Sequence, residues 1–235
     1  MKVLSLLDGK PFQTEFGIIG YSTVGLLFDE KRKILFDCGQ RGCAVQLRAA
    51  LNAQGLTPAD ITHVVISHLH FDHVGNLPLF EKAEVLLSEA EWKSAGEKPD
   101  EWHCRQTCAY LRERGNYSFV REGDRLADGV SVLELPGHTR GMIGIRCSGR
   151  EDTADKTIIF CSDAIKNRYE LWEGIPLMSA DQEQSRSTVE RICREADLIC
   201  PGHDCMLDPG RPCHRETFSV RVYAANGAKR QLLLP

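Results

Sequence analysis

Short apolar runs broken by polar turns predict a chain that alternates strands and helices. Residues 18–28 and 33–37 (KILFD) read as two strands parted by the charged turn Asp29-Glu30-Lys31-Arg32. Residues 42–54 set Ala44, Leu47, Ala50 and Leu51 on one helical face, with Gln46 and Arg48 off it and Gly55 as the stop. Pro58-Ala59-Asp60 leads into 61–67 (ITHVVIS), an apolar run of the kind buried between layers. Residues 83–87 form another strand, and Ser88 is placed to cap a helix running to about residue 95. Residues 98–117 are polar, hold Trp102, His103 and two cysteines, and read as a loop or short helices. Strands at 130–135, 142–146 and 157–161 precede a helix over 181–196 and a strand at 198–200. No repeat, low-complexity tract or linker interrupts this order, so one domain over residues 1–235 is expected.

Composition narrows the class. Hydrophobic residues make up 42% and charged residues 26% of the 235, as in soluble globular domains. The net charge of −4 offers no broad cationic field for nucleic acid or anionic lipid. No run approaches the roughly 18 apolar residues of a membrane helix. Met1 to Leu7 begins like a signal peptide, but Asp8, Lys10 and Pro11 end the apolar run early. A cytoplasmic protein with reduced thiols is the expectation for its ten cysteines. Cys200, Cys205 and Cys213, or Cys104 and Cys108, would be the material for a structural metal site. None has paired C-x₂-C spacing, and Cys38 and Cys161 read as small packed hydrophobes.

The chemistry concentrates in residues 67–76, SHLHFDHVGN, where His68, His70, Asp72 and His73 form the pattern H-x-H-x-D-H. Imidazole and carboxylate are ligands preferred by zinc and similar borderline metals. Alternation at a strand end sets His68 and His70 on one side, facing a common metal. Asp72 and His73, where the chain turns toward a helix, would reach a second metal roughly 3.5–4 Å away, the spacing used in metal-assisted hydrolysis.

Four further segments, each at the end of an expected strand, accompany this run: Leu35-Phe36-Asp37-Cys38-Gly39, Leu135-Pro136-Gly137-His138-Thr139, Ile159-Phe160-Cys161-Ser162-Asp163-Ala164 and Cys200-Pro201-Gly202-His203-Asp204. In this order the five resemble the signatures of the metallo-β-lactamase-fold hydrolase superfamily. The resemblance implies an α/β fold, a four-layer αβ/βα sandwich of two mixed β-sheets flanked by helices. It also implies that His68, His70 and His138 hold one divalent ion and Asp72, His73 and His203 a second, with Asp163 bridging. Asp37 would orient a histidine or its loop from outside. Zinc is the default metal, with Mn²⁺, Fe²⁺ or Co²⁺ as substitutes. Water held between two such ions would have its pKa lowered to about 7, and Asp72 would orient it or carry its proton.

Asp163, where many true β-lactamases of this fold carry cysteine, points away from that activity. The short stretch after His203 disfavours a glyoxalase-II-type thioesterase with its helical glutathione domain. A small ester, lactone or thioester is the expected substrate, with a phosphodiesterase or nuclease of the same fold as the alternative. A di-iron redox module is the alternative of another class, disfavoured because His70 stands where such relatives carry glutamate. Tyr169, shortly after Asp163, is a candidate hydrogen-bond donor to a substrate carbonyl. The loops at 98–117 and 166–176 would wall the pocket. His63 reads as a packed or edge residue, and His103 and His214 as solvated. The expected partner is a small molecule, neither membrane nor nucleic acid, and the resemblance implies a homodimer.

Overall fold

A computed structural model describes residues 1–15, 17–18, 20–148, 156–174, 176–210, 218–223 and 229–234. The chain opens with β1 (Lys2–Leu7), the small hairpin β2 (Gln13–Thr14) and β3 (Gly17–Ile18), then β4 (Val24–Phe28) and β5 (Lys33–Phe36). Helix α1 (Ala44–Ala53), β6 (His63–Val65), the one-turn α2 (Phe71–Val74), β7 (Glu84–Leu87), α3 (Glu89–Glu97), α4 (Arg105–Arg114) and β8 (Tyr117–Phe119) follow. Then come β9 (Arg125–Ala127), β10 (Val130–Glu134), β11 (Ile143–Cys147), β12 (Ile158–Ser162), α5 (Arg168–Glu173), α6 (Gln182–Glu195) and β13 (Leu198–Pro201). A separate hairpin, β14 (Phe218–Tyr223) with β15 (Lys229–Leu234), ends the series.

The first sheet runs β1-β4-β5-β6-β7-β8, antiparallel up to β5 and parallel beyond it. The second runs β13-β12-β11-β10-β9, with β12 and β13 parallel and the rest antiparallel. Period-two alternation sorts side chains between layers. In β5, Ile34 and Phe36 enter the core between the sheets, while Leu35 faces Leu47 and Leu51 of α1. In β12, Ile158 and Phe160 enter the same central core, while Ile159 and Cys161 pack on Val189 and Ile192 of α6. Phe36 and Phe160 meet across the sheets at 5.8 Å between ring centroids. Three cores therefore separate four layers, helix–sheet–sheet–helix. This is the predicted sandwich. Among the described residues no helix is long and apolar enough to cross a membrane.

Several elements differ from the sequence expectation. Residues 2–7 form β1, an edge strand of the first sheet, because their apolar side chains half-bury against that sheet and α1. The polar stretch around residue 110 is a full helix, α4: Thr107, Cys108 and Leu111 make a narrow buried stripe, and Gly115 ends it in left-handed backbone. The strand expected over 18–28 is regular only from Val24, with Gly17–Ile18 paired separately to Gln13–Thr14.

Candidate metal centre

The carboxyl ends of β5, β6, β10, β12 and β13 open onto one cleft. Asp37 follows β5, and Ser67, His68 and His70 follow β6. The first turn of α2 presents Asp72 and His73. His138, Asp163 and His203 follow β10, β12 and β13. Ligand atoms of these residues form three groups, each within 4.8 Å: His68, His70 and His138; His68, His73 and Asp163; and Asp72, His73 and His203. Every metal-ligand candidate from the sequence is thus brought to one place.

Hydrogen bonds on the outer side fix which nitrogen of each ring faces inward. His73 Nδ1 donates to Asp37 Oδ2 at 2.8 Å. His138 Nδ1 donates to the Met178 carbonyl at 2.8 Å and His203 Nδ1 to the Tyr21 carbonyl at 3.1 Å. Ser67 Oγ donates to Asp37 Oδ2, so it accepts from His68 Nδ1 at 2.9 Å. His70 is turned the other way, its Nε2 donating to Asp100 Oδ2 at 3.1 Å. Five imidazoles therefore point five lone pairs inward. His68 Nε2, His73 Nε2 and Asp163 Oδ1 are buried there without a hydrogen-bond partner. Unsatisfied buried acceptors cost about 1–3 kcal/mol each, and divalent cations held among these groups would satisfy them. The donor set fits two ions.

Asp163 spans the two halves. Its Oδ1 lies 3.3 Å from His73 Nε2 and 3.4 Å from His203 Nε2, its Oδ2 3.5 Å from His138 Nε2. Asp72 Oδ2 is 3.4 Å from His203 Nε2. Charge follows this division. Burial, with the neighbouring rings, pushes His68 well down, and burial pushes His138 down to about 3. Burial also works against charge on His73 and His203, but the Asp72 and Asp163 carboxylates outweigh it and raise both. Asp163 itself is held well below the usual carboxylate range, burial being overcome by His203 and His73.

Backbone strain gathers at the same spot. Asp37, Ser162 and Met178 are the non-glycine residues in left-handed backbone among those described, at φ 56°, 48° and 53°. Such positions cost about 1–3 kcal/mol each and persist where the surroundings hold them. Each touches the histidine cluster: Asp37 and Ser162 share a bond at 3.1 Å beneath His73, and Met178 caps His138. The two Gly-His pairs have a steric origin. A Cβ on Gly202 would overlap Asp163 Oδ1, and one on Gly137 (φ +137°) would strike the Ser185 backbone.

The cleft above the cluster has a volume of about 150 Å³ and is walled by Phe12, Phe71, Trp102, Lys166, Asn167 and Met178. Both expected wall loops contribute, through Trp102 on one side and Lys166 and Asn167 on the other. Tyr169 does not line it; the residue is 56% exposed and its ring meets Trp172 edge-on at 6.2 Å. His103 corrects the expectation of a solvated ring. Its side chain is 4% exposed, held between Asp100 and Glu91, because an isolated backbone bridge draws residue 103 onto His70. Those carboxylates raise its pKa against burial. Asp100, Glu91 and Met178 were not anticipated either; partners tens of residues away carry no local signal. His63 is half-buried beside Glu84. Cys38 and Cys161 are fully buried and their thiols pushed well up by burial, so they are packing groups. No described cysteine joins a metal-type cluster; Cys213 and His214 lie outside the described residues.

The profile of the metallo-beta-lactamase superfamily matches residues 17–203. Metallo-beta-lactamase domain-containing protein 1 of Xenopus laevis is 32% identical over 67% of this chain and 60% of its own length. An N-acyl homoserine lactonase of Bacillus cereus is 24% identical over 68% of this chain and 62% of its own. Each match thus spans less than two thirds of the curated relative. A Thermotoga maritima protein solved as a candidate metallo-beta-lactamase superposes with a TM-score of 0.73 at 24% identity, over 88% of this chain and 99% of that one.

Proposed function

The chain belongs to the metallo-beta-lactamase superfamily, and we propose that it hydrolyses a small lactone, ester or thioester at a centre of two divalent ions, zinc by preference. One observation carries this: five imidazoles with their outer nitrogens engaged turn their inner lone pairs on a common space, and Asp163 divides its two oxygens between the halves. On this reading His68, His70 and His138 hold one ion, Asp72, His73 and His203 the other, and Asp163 both. An all-nitrogen and oxygen set suits zinc, with manganese, iron or cobalt as alternatives. Bound ions would supply Lewis acidity toward a carbonyl oxygen and lower the pKa of water in the cleft.

The protein's own groups would do the rest. Asp72, 13% exposed at the cleft floor, would take a proton and return it to the leaving group. Phe12, Phe71 and Trp102 would exclude bulk water and take up the apolar part of the substrate. The lactonase relative supports a carbonyl substrate, and a cleft of about 150 Å³ in a chain of net charge −4 favours a small molecule over nucleic acid. The test is a screen of lactone, thioester, phosphodiester and β-lactam substrates with the metal-loaded chain. Turnover of a lactone, ester or thioester is expected. Turnover of phosphodiesters alone would overturn the carbonyl reading.

A further inference from the structure

The ring of His70 is set differently from its four neighbours. They turn Nε2 inward and are held at Nδ1, whereas His70 turns Nδ1 inward, 3.2 Å from His138 Nε2, and is held at Nε2 by Asp100. The holder is itself built in. Asp100 Oδ1 accepts from the Trp102 and His103 backbone N–H groups at 2.9 and 3.1 Å, leaving Oδ2 for His70. Backbone bonds on both sides, Phe71 N–H to the Trp102 carbonyl and Cys104 N–H to the Leu69 carbonyl, clamp this loop to the histidine motif. Behind it stands the fully buried Glu91. Its Oε1 accepts from Leu69 N–H at 3.0 Å and lies 3.5 Å from His103 Nε2, while Oε2 accepts from Thr139 Oγ1 at 2.7 Å. Glu91 therefore joins the segment before His70 to the residue after His138.

We infer that Asp100 is a positioning residue for His70: its carboxylate fixes the ring with Nδ1 inward, on a frame that Glu91 and His103 hold in register with His138. Without it the ring has no partner for Nε2 and turns about χ2, which would offer the wrong nitrogen to the ion shared with His68 and His138. The inference rests on the reading of His70 as a metal ligand. Asp100 suits a test because its side chain is 45% exposed, so its removal opens no core cavity.

The full chain is stripped of metal and titrated with zinc against a chromophoric competitor, and in parallel with cobalt(II), whose visible absorption reports the ligands at each ion. Asp100→Ala should weaken one of two ions by about 10- to 100-fold, leave the other at the wild-type affinity and change one cobalt band. Asp100→Asn keeps one acceptor oxygen for three donors, His70 Nε2–H and the Trp102 and His103 N–H groups, and should fall between wild type and Asp100→Ala. The neighbouring exposed Glu101→Ala should match wild type. Wild-type affinities in Asp100→Ala, or an equal loss at both ions, would overturn the inference. The unmodified protein gives an independent reading: ring ¹⁵N resonances should show His70 protonated on Nε2, and protonation on Nδ1 would contradict it. A wild-type chain that binds no divalent ion removes the ligand reading and this inference together. One that binds two ions while Asp100→Ala matches it removes this inference alone.

Discussion

His70 Nδ1 and His138 Nε2 face each other at 3.2 Å, and each ring donates from its other nitrogen, to Asp100 and to the Met178 carbonyl. Two lone pairs at that distance repel unless a positive charge lies between them. The same inward convergence recurs at His68, His73 and His203, so the cluster is organised for cations before any substrate arrives.

Asp163 is the residue common to both halves. Asp163→Ala should lower metal content and hydrolysis together, by more than the about 10- to 100-fold that loss of a group outside the ligands costs. Metal analysis and kcat/KM on the same preparation check this.

Asp37 accepts from His73 Nδ1, Ser67 N–H, Ser67 Oγ and Ser162 Oγ while 1% exposed. Asp37→Ala strands those buried donors, at about 1–3 kcal/mol for each left unpaired. The urea midpoint should fall, and weaker metal binding should accompany it.

Gly202→Ala should reduce metal affinity as well as stability, because the new methyl group meets Asp163 Oδ1. Gly137→Ala meets the Oγ and backbone of Ser185, not a ligand candidate, and should act mainly on stability, by about 1–3 kcal/mol. Thermal unfolding with and without zinc separates the two.

Arg168 donates from Nε and Nη2 to Asp204, a buried pair tying the start of α5 to the loop after His203. Burial raises the Asp204 carboxyl, but Arg168 outweighs it and leaves the native pKa below the ordinary value. A depressed carboxyl contributes stability that is complete above its unfolded value of about 3.9 and is lost as pH falls through the lower native one. Asp204→Asn should therefore be less stable at neutral pH, its deficit shrinking toward acid. Urea midpoints from pH 7 to pH 3 check the sign.

Tyr169→Phe should leave metal content and turnover unchanged, since the exposed ring packs on Trp172 away from the cleft. Slower turnover at full metal content would put the hydroxyl on the substrate.

The five strand-end segments were legible because each joins an apolar run to a chemical group, and the four-layer sandwich was legible through the family resemblance they carry; the division of β5 and β12 side chains between two cores is seen only in the structure. What the sequence hid was non-local. Asp100 acts on a histidine thirty positions earlier, and nothing in Lys98-Pro99-Asp100 marks it. Helix α4 was obscured by a buried stripe only three residues wide, and β1 by its likeness to a leader. Met178 enters through its carbonyl and backbone conformation, which any side chain could supply.

The most direct test of the two-ion centre is a metal count on the purified chain after zinc loading and removal of loosely bound ions, beside the same count on Asp163→Ala. The geometry predicts about two ions per wild-type chain and a clear deficit in the variant. A fully active wild-type chain holding one ion or none, or a variant that keeps both, would contradict it.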